Sequence, residues 1–466
     1  MRFIYADSLD CVDPGYDFLR DRTAEGRTPY WDDVYPHEIM RYAPYHGMLV
    51  SRGIVGGAAV TGKYSEAQAM RFRRVGARTF LRLNRPEFTH LPIFGDCGAF
   101  TYAAAEAPPY TSEDTAEFYD DAGFTHGCSV DHIVFDFDEA CLGMEGGSPE
   151  ARRRFDITLE NAGAFLKASR HMSNRFTPLG VVQGWSPGSM AEAARRLVAM
   201  GYGYLAVGGT VPLKTPQVAA CLEAVRGAIP PATRLHVLGF ARADEIGDFA
   251  RFGITSFDTA SPMLRAFKDA TANYYLPSDR GGRLRYYTAI RVPQATENTK
   301  LKNLAKRGVL QQEELVSLER DALSALRGYD REERDLEEAL DAVLRYAVPA
   351  TMGLRTQDLP GGARGLADLR ARYRRTLADR PWKLCSCAIC RTLSIEVVIF
   401  RASNRNKRRG IHNIGVFKSL VDTLPNGSAN HDEHSELFGG ASAAEREAYG
   451  GKLCRQGLGA AALCGD

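Results

Sequence analysis

Short apolar runs rich in β-branched and aromatic residues recur between residues 48 and 258, and helical stretches separate several of them. Buried parallel strands have this continuous apolar character, and strands that alternate with helices indicate βα units. The runs cover 48–51, 79–83, 91–96, 132–138, 178–184, 204–209, 234–240 and 254–258. Helices are predicted over 189–200 and 215–228. This alternation predicts an α/β protein.

Eight βα units favour a (β/α)₈ barrel of the TIM type, which usually needs about 250 residues. A doubly wound sheet is the alternative, because it shows the same alternation. The runs at 79–83 and 91–96 are too close for a full helix between them, so we expect at least one irregular unit.

The sequence outside these runs indicates four further segments. Residues 1–45 lack a clear period and are predicted to be an irregular N-terminal extension to a barrel core over 46–290. Leucines at helical spacing predict a helical insertion over 291–380. A zinc-binding subdomain over 381–423 is expected to complete the barrel. Residues 424–466 are rich in Gly, Ala, Ser and His, which predicts a disordered tail.

The composition predicts a soluble protein with no membrane partner. Hydrophobic residues make up 44% of the 466 residues and charged residues 25%. No apolar run has membrane-spanning length, and the first ten residues lack the features of a signal peptide. We therefore expect a cytoplasmic location, where the ten cysteines favour thiols or metal ligands over disulfides.

Three cysteines and one histidine form the sharpest local signal. Cys385, Cys387 and Cys390 lie close together, and His412 follows after residues 391–411. Three thiolates and an imidazole complete a tetrahedral Cys₃His site, the usual closed arrangement of structural zinc. Protein ligands fill all four positions, so Zn²⁺ is predicted to hold structure rather than activate water. Three unrelated core cysteines are the alternative.

Basic residues are concentrated in one segment, although the net charge is only +2. Residues 364–409 hold thirteen Lys or Arg against three acids, a local charge of 13 − 3 = +10. Such a cluster suggests a docking surface for phosphates, and a solvated helix face is the alternative. The residues predicted to bind nucleic acid are Arg401, Arg405, Lys407, Arg408 and Arg409.

Polar residues and glycines follow the last six runs. They are Asp96, Asp138, Gln183, Gly208 with Gly209, Gly239 and Asp258. The carboxyl ends of barrel strands converge on one face, where active sites of this fold are built. One such residue is usually a turn or cap residue, but six consecutive strands ending this way favour a site.

Several short motifs together resemble the tRNA-guanine transglycosylases. The motifs are Asp96-Cys-Gly-Ala-Phe100, Phe137-Asp138-Glu139, Val182-Gln183-Gly184, Val207-Gly208-Gly209, Phe257-Asp258 and Cys-x-Cys-x₂-Cys with His412-Asn413. They occur in the family's order and span about 45–258 and 383–420. Longer strings, such as Gln183-Gly-Trp-Ser-Pro187 and Asp258-Thr-Ala-Ser-Pro262, resemble the branch that modifies DNA.

The resemblance implies a role for each matched residue. Asp258 would be the nucleophile that attacks C1′ and expels guanine, and Asp96 would be the general acid/base. The residues implied to hold the purine are Asp138, Gln183, Gly208, Gly209 and Phe100. Two displacements at C1′ preserve the β-anomer, as in retaining glycosidases. Cys97 and Ala99 depart from the family's motif, which predicts a changed pocket floor.

The resemblance to the DNA-modifying branch also implies partners. DNA would be the polynucleotide, 7-cyano-7-deazaguanine (preQ₀) the incoming base, and a DpdB-like ATPase the partner protein; a homodimer is left open. Exchange of the same base in tRNA is one alternative. A non-catalytic zinc-containing subunit that binds nucleic acid is another, although such a subunit has no chemical need for both Asp96 and Asp258.

Overall fold

A closed barrel of eight parallel strands forms the core of the fold. The computed structural model describes residues 1–424 apart from 58–59, 142, 174, 241, 243–244, 279–281, 309–310 and 353–363. The predicted tail over 424–466 lies outside the described residues except for Leu424. None of the described helices is both long enough and apolar enough to cross a bilayer.

The barrel strands follow one another in chain order. They are β1 (Arg2–Ala6), β2 (Gly47–Ser51), β3 (Ile93–Asp96), β4 (His126–Cys128), β5 (Thr177–Val182), β6 (Tyr204–Val207), β7 (Arg234–Val237) and β8 (Ser256–Thr259). Each strand pairs in parallel with the next, and β1 closes the barrel by pairing with β8, Ile4 opposite Asp258. The predicted (β/α)₈ barrel is confirmed.

Alternate residues of the strands fill the barrel, because successive side chains of a strand point to opposite faces. The buried cluster inside consists of Ile4, Leu49, Phe94, Cys128, Leu179, Val181, Tyr204 and Ala206. The intervening residues, such as Phe3 and Phe257, join the larger core between the strands and the surrounding helices. Apolar residues on both faces explain why these strands read as continuous apolar runs.

Sixteen helices lie within the described residues. They are α1 (Pro36–Met40), α2 (Arg52–Val55), α3 (Glu66–Phe80), α4 (Ser112–Asp121), α5 (Pro149–Ser169), α6 (Pro187–Met200), α7 (Thr215–Ala228), α8 (Ile246–Phe249), α9 (Ser261–Lys268), α10 (Thr299–Lys306), α11 (Gln312–Asp330), α12 (Leu336–Ala347), α13 (Arg364–Asp379), α14 (Pro381–Leu384), α15 (Ala388–Leu393) and α16 (Ser403–Thr423). Helices α6 and α7 match the helices predicted over 189–200 and 215–228.

Helix α6 shows how local sequence sets an element of the barrel. Ser186 caps its start by accepting a hydrogen bond from the Ser189 amide, and Pro187 occupies the first turn, where no amide hydrogen is needed. The helix ends at Gly201, whose φ of 111° suits glycine. These signals place the helix directly after the polar end of β5.

Two short sheets and helix α16 complete the structure beyond the barrel. Strands β9 (Tyr274–Pro277) and β10 (Leu284–Tyr287) form an antiparallel pair, and β11 (Ile290–Arg291) pairs in parallel with β12 (Ile399–Phe400). Phe417 of α16 packs against Phe3 and Phe257 of the barrel. A Cβ at Gly410 would lie 2.2 Å from the Met263 sulfur, so glycine permits the close contact of α16 with α9.

Three predictions about the barrel strands were wrong. Residues 1–45 contain strand β1, so this segment is not an extension outside the barrel. Residues 79–83 include the end of α3 and a turn, and they are apolar because Phe80 and Leu83 are buried against the core. The fourth strand is β4 rather than 132–138, a segment that is apolar because Ile133 and Val134 are buried without strand pairing.

The prediction that five basic residues bind phosphates was also wrong, because their side chains face the protein interior. These residues are Arg401, Arg405, Lys407, Arg408 and Arg409. Arg405 and Arg409 are fully buried and Arg408 is 4% exposed. The Lys407 ammonium donates hydrogen bonds to the carbonyls of Leu9 and Cys11. The basic side chains at 405–409 of α16 therefore bond to other parts of the protein rather than to solvent.

Arg405 is the centre of a buried network of ion pairs. It pairs with Asp21 of the N-terminal segment and, at 2.7 Å, with Glu396. Arg401 contacts the other Asp21 oxygen at 2.5 Å, and Arg327 of α11 contacts Glu396 at 2.6 Å. The network joins α16, α11 and the N-terminal segment. Buried charges of this kind are tolerated because each has an oppositely charged partner.

We expect Arg405→Met to destabilise the protein by about 3–5 kcal/mol, because it leaves buried carboxylates with too little positive charge. Urea denaturation followed by circular dichroism measures the change. Arg374→Met is the matched control: Arg374 pairs with Glu337 at 2.8 Å on exposed α13, where such a pair contributes less than about 1 kcal/mol. Equal, small losses of stability in both variants would contradict the buried network.

Candidate active site and metal centre

Asp258 lies on β8, at the end of the barrel where the strand carboxyl ends converge. The residue is 6% exposed. Its Oδ1 accepts a hydrogen bond of 3.0 Å from the Gly239 amide and lies 3.2 Å from Nε2 of His236. Both donors come from β7 or the turn after it. The neighbouring strand therefore fixes the carboxylate.

Asp96 ends β3 and belongs to the same cluster of acids. Burial raises the pKa of Asp96 to about 7, and the negative charges of Asp131 and Asp258 act in the same direction. Hydrogen bonds from Ser51 and from the Gly98 amide oppose this rise. Near neutral pH this carboxyl group can therefore either donate or accept a proton.

Asp131 is the third acid of the cluster, and the sequence analysis did not identify it. It is 2% exposed, and burial raises its pKa. The Gln183 amide nitrogen donates to Asp131 Oδ2 at 2.7 Å, and the Cys97 thiol donates to Oδ1 at 2.9 Å. The Tyr102 hydroxyl reaches the Cys97 sulfur at 3.1 Å. Cys97, at the position of the family's serine, therefore anchors this acid.

Gly208 and Gly209 follow β6 and pack directly against Gln183. A Cβ at Gly208 would lie 2.6 Å from the Gln183 amide nitrogen. Gly209 has a φ of 68°, a conformation that glycine adopts at little cost. The Gly208 amide already donates to the Val182 carbonyl. These glycines therefore make room for Gln183, which is itself 2% exposed.

Asp138, predicted to hold the purine, lies outside this buried cluster. Its side chain is exposed and bonds to its own loop, at the Ala140 amide and the Cys141 thiol. The strand predicted over 132–138 was wrong, since β4 ends at Cys128, whereas the purine-binding role of Asp138 stays a prediction. Asp131, shortly after the true strand end, lies beside Gln183 instead. If the fourth strand had been predicted to end at Cys128, Asp131 would have been the acid that follows it.

Phe100 lies in a 3₁₀ turn just after β3 and is 63% exposed. Singly exposed rings are common on protein surfaces, so the position of this ring in the fold matters more than its exposure. The ring follows Asp96 by four residues, so it lies on the side of the barrel that carries the acids. Its exposure leaves a face free for stacking.

Cys385, Cys387, Cys390 and His412 form a compact group that could hold a metal ion, as the sequence predicted. Their ligand atoms all lie within 4.8 Å of one another. His412 Nδ1 lies 3.6 Å, 3.5 Å and 3.4 Å from the three sulfur atoms in chain order. The group joins α15 to α16.

The surroundings of His412 prepare Nδ1 to be a metal ligand. Its Nε2 lies 2.7 Å from the Tyr275 carbonyl, which can only accept, so Nε2 carries the hydrogen and Nδ1 keeps its lone pair. The Tyr274 ring stacks on the imidazole at 4.2 Å, and its hydroxyl lies 3.1 Å from the Cys390 sulfur. Asn413 accepts a hydrogen bond from the Tyr275 amide. The donor set therefore fits a tetrahedral metal ion.

Comparison with known proteins identifies the family. No family model matches the chain. A DNA-guanine transglycosylase of Salmonella montevideo is 42% identical over 427 residues, which cover 91% of this chain and 97% of that protein. Identity at this level over nearly the whole length means that the chain belongs to the guanine transglycosylase family of enzymes.

We expect Cys387→Ala to lower metal content and solubility together, because a structural site and its surrounding fold form as one event. Elemental analysis of the purified protein, with a thermal melt on the same sample, measures both. Cys221→Ala is the control, because this buried cysteine of α7 lies outside the group. A metal-free Cys387→Ala protein with wild-type melting and activity would contradict a structural role.

Proposed function

We propose that the chain is a DNA base-exchange enzyme of the DpdA type, which replaces guanine in DNA with preQ₀. The paired acids Asp96 and Asp258, at the same end of the barrel, are the observation that carries the proposal. The name of the Salmonella montevideo relative supports DNA as the substrate. The strings Gln183-Gly-Trp-Ser-Pro187 and Asp258-Thr-Ala-Ser-Pro262 support the same branch.

The first half of the reaction would expel guanine. An Asp258 oxygen attacks C1′ of the deoxyribose, the new C–O bond forms, and the bond from C1′ to N9 breaks. The electron pair stays on N9, and the base is neutralised by a proton from Asp96. A carboxylate nucleophile divides one difficult substitution into two easier ones. The raised pKa of Asp96, about 7, keeps a proton available near neutral pH.

The second half would install the incoming base by the reverse chemistry. Asp96, now a carboxylate, takes the proton from N9 of preQ₀, and this nitrogen attacks C1′. The C–O bond to Asp258 breaks, and the aspartate leaves as a carboxylate. Two inversions at C1′ restore the β-anomer that DNA requires.

The buried polar cluster would recognise the purine edge. Gln183 and Asp131 present amide and carboxylate groups, which match the donors and acceptors of guanine. Gly209 adds backbone groups beside them, whereas the amide of Gly208 is already bonded to Val182. The exposed ring of Phe100 would stack on the base. These contacts would offset the cost of extruding the base, which is on the order of a few kcal/mol.

Zinc would be the metal of the Cys₃His group. Three thiolates and one imidazole are the typical ligands of structural zinc, and they leave no position for a reactive water. The ion would tie α15 to α16 and to the Tyr274–Tyr275 segment of β9. The family resemblance adds a DpdB-like ATPase as the partner protein.

Asp258→Asn should abolish base exchange, because an amide keeps the shape of the side chain but lacks the nucleophilic carboxylate. The measurement is mass spectrometry of nucleosides from the DNA and the tRNA of source cells that carry wild type or the variant. We expect the 7-deazaguanine nucleoside in wild-type DNA and its loss from the variant's DNA. DNA binding by the purified variant should remain near wild type.

Each alternative function predicts a different outcome of this experiment. Loss of the modified nucleoside from tRNA alone would indicate a tRNA enzyme. A non-catalytic subunit would give undiminished modification with Asp258→Asn. Asp248→Asn, which changes an acid of α8 rather than one of the buried cluster, is the matched control for the substitution.

The rate of covalent adduct formation should fall above about pH 7. The leaving guanine needs the protonated form of Asp96, and its pKa of about 7 means that this form decreases tenfold per pH unit well above that value. Single-turnover adduct formation with duplex DNA between pH 5.5 and 9 measures the profile, with DNA binding over the same range as the control. A flat profile that persists while Asp96→Asn is inactive would contradict a general-acid role.

A further inference from the structure

We propose that His236 is a positioning residue for Asp258, held in one tautomer by Ser256 and Tyr204, and that it directs the other carboxylate oxygen to the sugar. The proposal rests on the proposed role of Asp258 as nucleophile. It concerns a hydrogen-bonded chain inside the barrel that the sequence analysis did not reveal.

Four side chains on strands β6, β7 and β8 are linked by a series of hydrogen bonds. The Tyr204 hydroxyl lies 2.5 Å from the Ser256 hydroxyl, which lies 2.6 Å from Nδ1 of His236. Nε2 of the same ring lies 3.2 Å from Asp258 Oδ1. Tyr204, His236 and Ser256 expose no more than 2% of their surface. This series of hydrogen bonds therefore runs from the barrel interior to Asp258 without contact with bulk solvent.

The direction of the hydrogen bonds follows from the charge on Asp258. An ionised carboxylate can only accept, so Nε2 of His236 must carry a hydrogen that it donates to Oδ1. Nδ1 of the neutral ring then has a lone pair and accepts from the Ser256 hydroxyl. Ser256 has a single hydroxyl hydrogen and donates it to Nδ1, so in its contact with Tyr204 it accepts. The hydrogens of the Tyr204 hydroxyl, the Ser256 hydroxyl and His236 Nε2 thus have one acceptor each.

Both donors that reach the Asp258 carboxylate meet the same oxygen. The His236 imidazole and the Gly239 amide both donate to Oδ1. Among the residues that the structure describes, none donates a hydrogen bond to Oδ2. Two donors hold the negative charge on Oδ1 and fix the plane of the carboxylate, which leaves Oδ2 as the oxygen free to attack C1′. Such fixed orientation lowers the entropy cost of reaching the reactive geometry.

The His236 ring is itself held by aromatic packing. It stacks on Phe94 with the ring centres 5.3 Å apart, and Phe94 stacks on His126 at 4.3 Å. His126 makes the same kind of contact with Phe94, but its Nδ1 bonds to Thr125 rather than to an acid. The two histidines therefore differ in their link to Asp258, which makes His126 a matched control for the loss of a stacked imidazole.

The test compares His236→Phe, His236→Gln and His126→Phe in steady-state release of guanine from duplex DNA with preQ₀. Phenylalanine keeps the stacked ring without the donor, and glutamine can place an amide N–H where Nε2 lies. Loss of a hydrogen bond to a charged group predicts a fall in kcat of about 10- to 100-fold for His236→Phe, with KM for DNA nearly unchanged. His236→Gln should recover much of the loss, and His126→Phe should match wild type.

Ser256→Ala provides a second variant that keeps the histidine. Without the Ser256 hydroxyl the tautomer is no longer fixed, and we expect a smaller fall in kcat, about 3- to 10-fold, since roughly one neutral hydrogen bond is lost. Wild-type kcat in both His236→Phe and Ser256→Ala would overturn the proposal. So would equal losses in His236→Phe and His126→Phe, or in His236→Phe and His236→Gln, because a packing role alone would explain them.

Asp258→Asn separates this proposal from the proposed function. If Asp258→Asn remains active, Asp258 is not the nucleophile and both proposals fail. If Asp258→Asn is inactive while His236→Phe turns over like wild type, only the positioning role fails. Melting temperatures of all variants show whether a loss of rate reflects loss of the fold, in which case the rates of His236→Gln and Ser256→Ala decide.

Discussion

The pairing of β1 with β8 is the constraint on which the rest of the structure depends. It joins the N-terminus to the strand that carries Asp258, with Ile4 opposite that residue. A closed parallel barrel has no free edge, so the carboxyl ends of all eight strands lie on one face. Phe417 then packs on Phe3 and Phe257, so closure also fixes the place of α16 and of His412 on it.

Closure also forces three acids into one buried region, where their charges oppose one another. The hydrogen bonds that each acid receives come from different neighbours. Asp258 receives an imidazole and an amide hydrogen, and Asp131 receives a side-chain amide and a thiol. Burial and the negative charges of Asp131 and Asp258 raise the pKa of Asp96 to about 7. The same constraint therefore builds the buried cluster of acids and keeps a proton within reach of it near neutral pH.

The sequence predicted the barrel and the cluster of three cysteines and His412 because both depend on local patterns. Apolar runs mark strands, and ligand spacing marks the cluster. It missed β1, because one strand followed by a long irregular segment shows no repeat. It also missed Asp131, since the buried residues of the loop over 132–138 read like a strand. The role proposed for His236 depends on contacts between β7 and β8, which no local pattern records.

The basic segment shows why charge along the chain is a poor guide to charge on the surface. Its +10 excess predicts a phosphate patch only if the side chains reach solvent. Helix α16 instead packs against the barrel, and its Arg405 pairs with Asp21 and Glu396, acids that lie outside the helix. Lys407, Arg408 and Arg409 bond to backbone carbonyls, so these side chains are turned away from solvent phosphates. The position of basic residues along the sequence therefore says little about where an anionic partner could dock, which depends on the side chains that reach solvent.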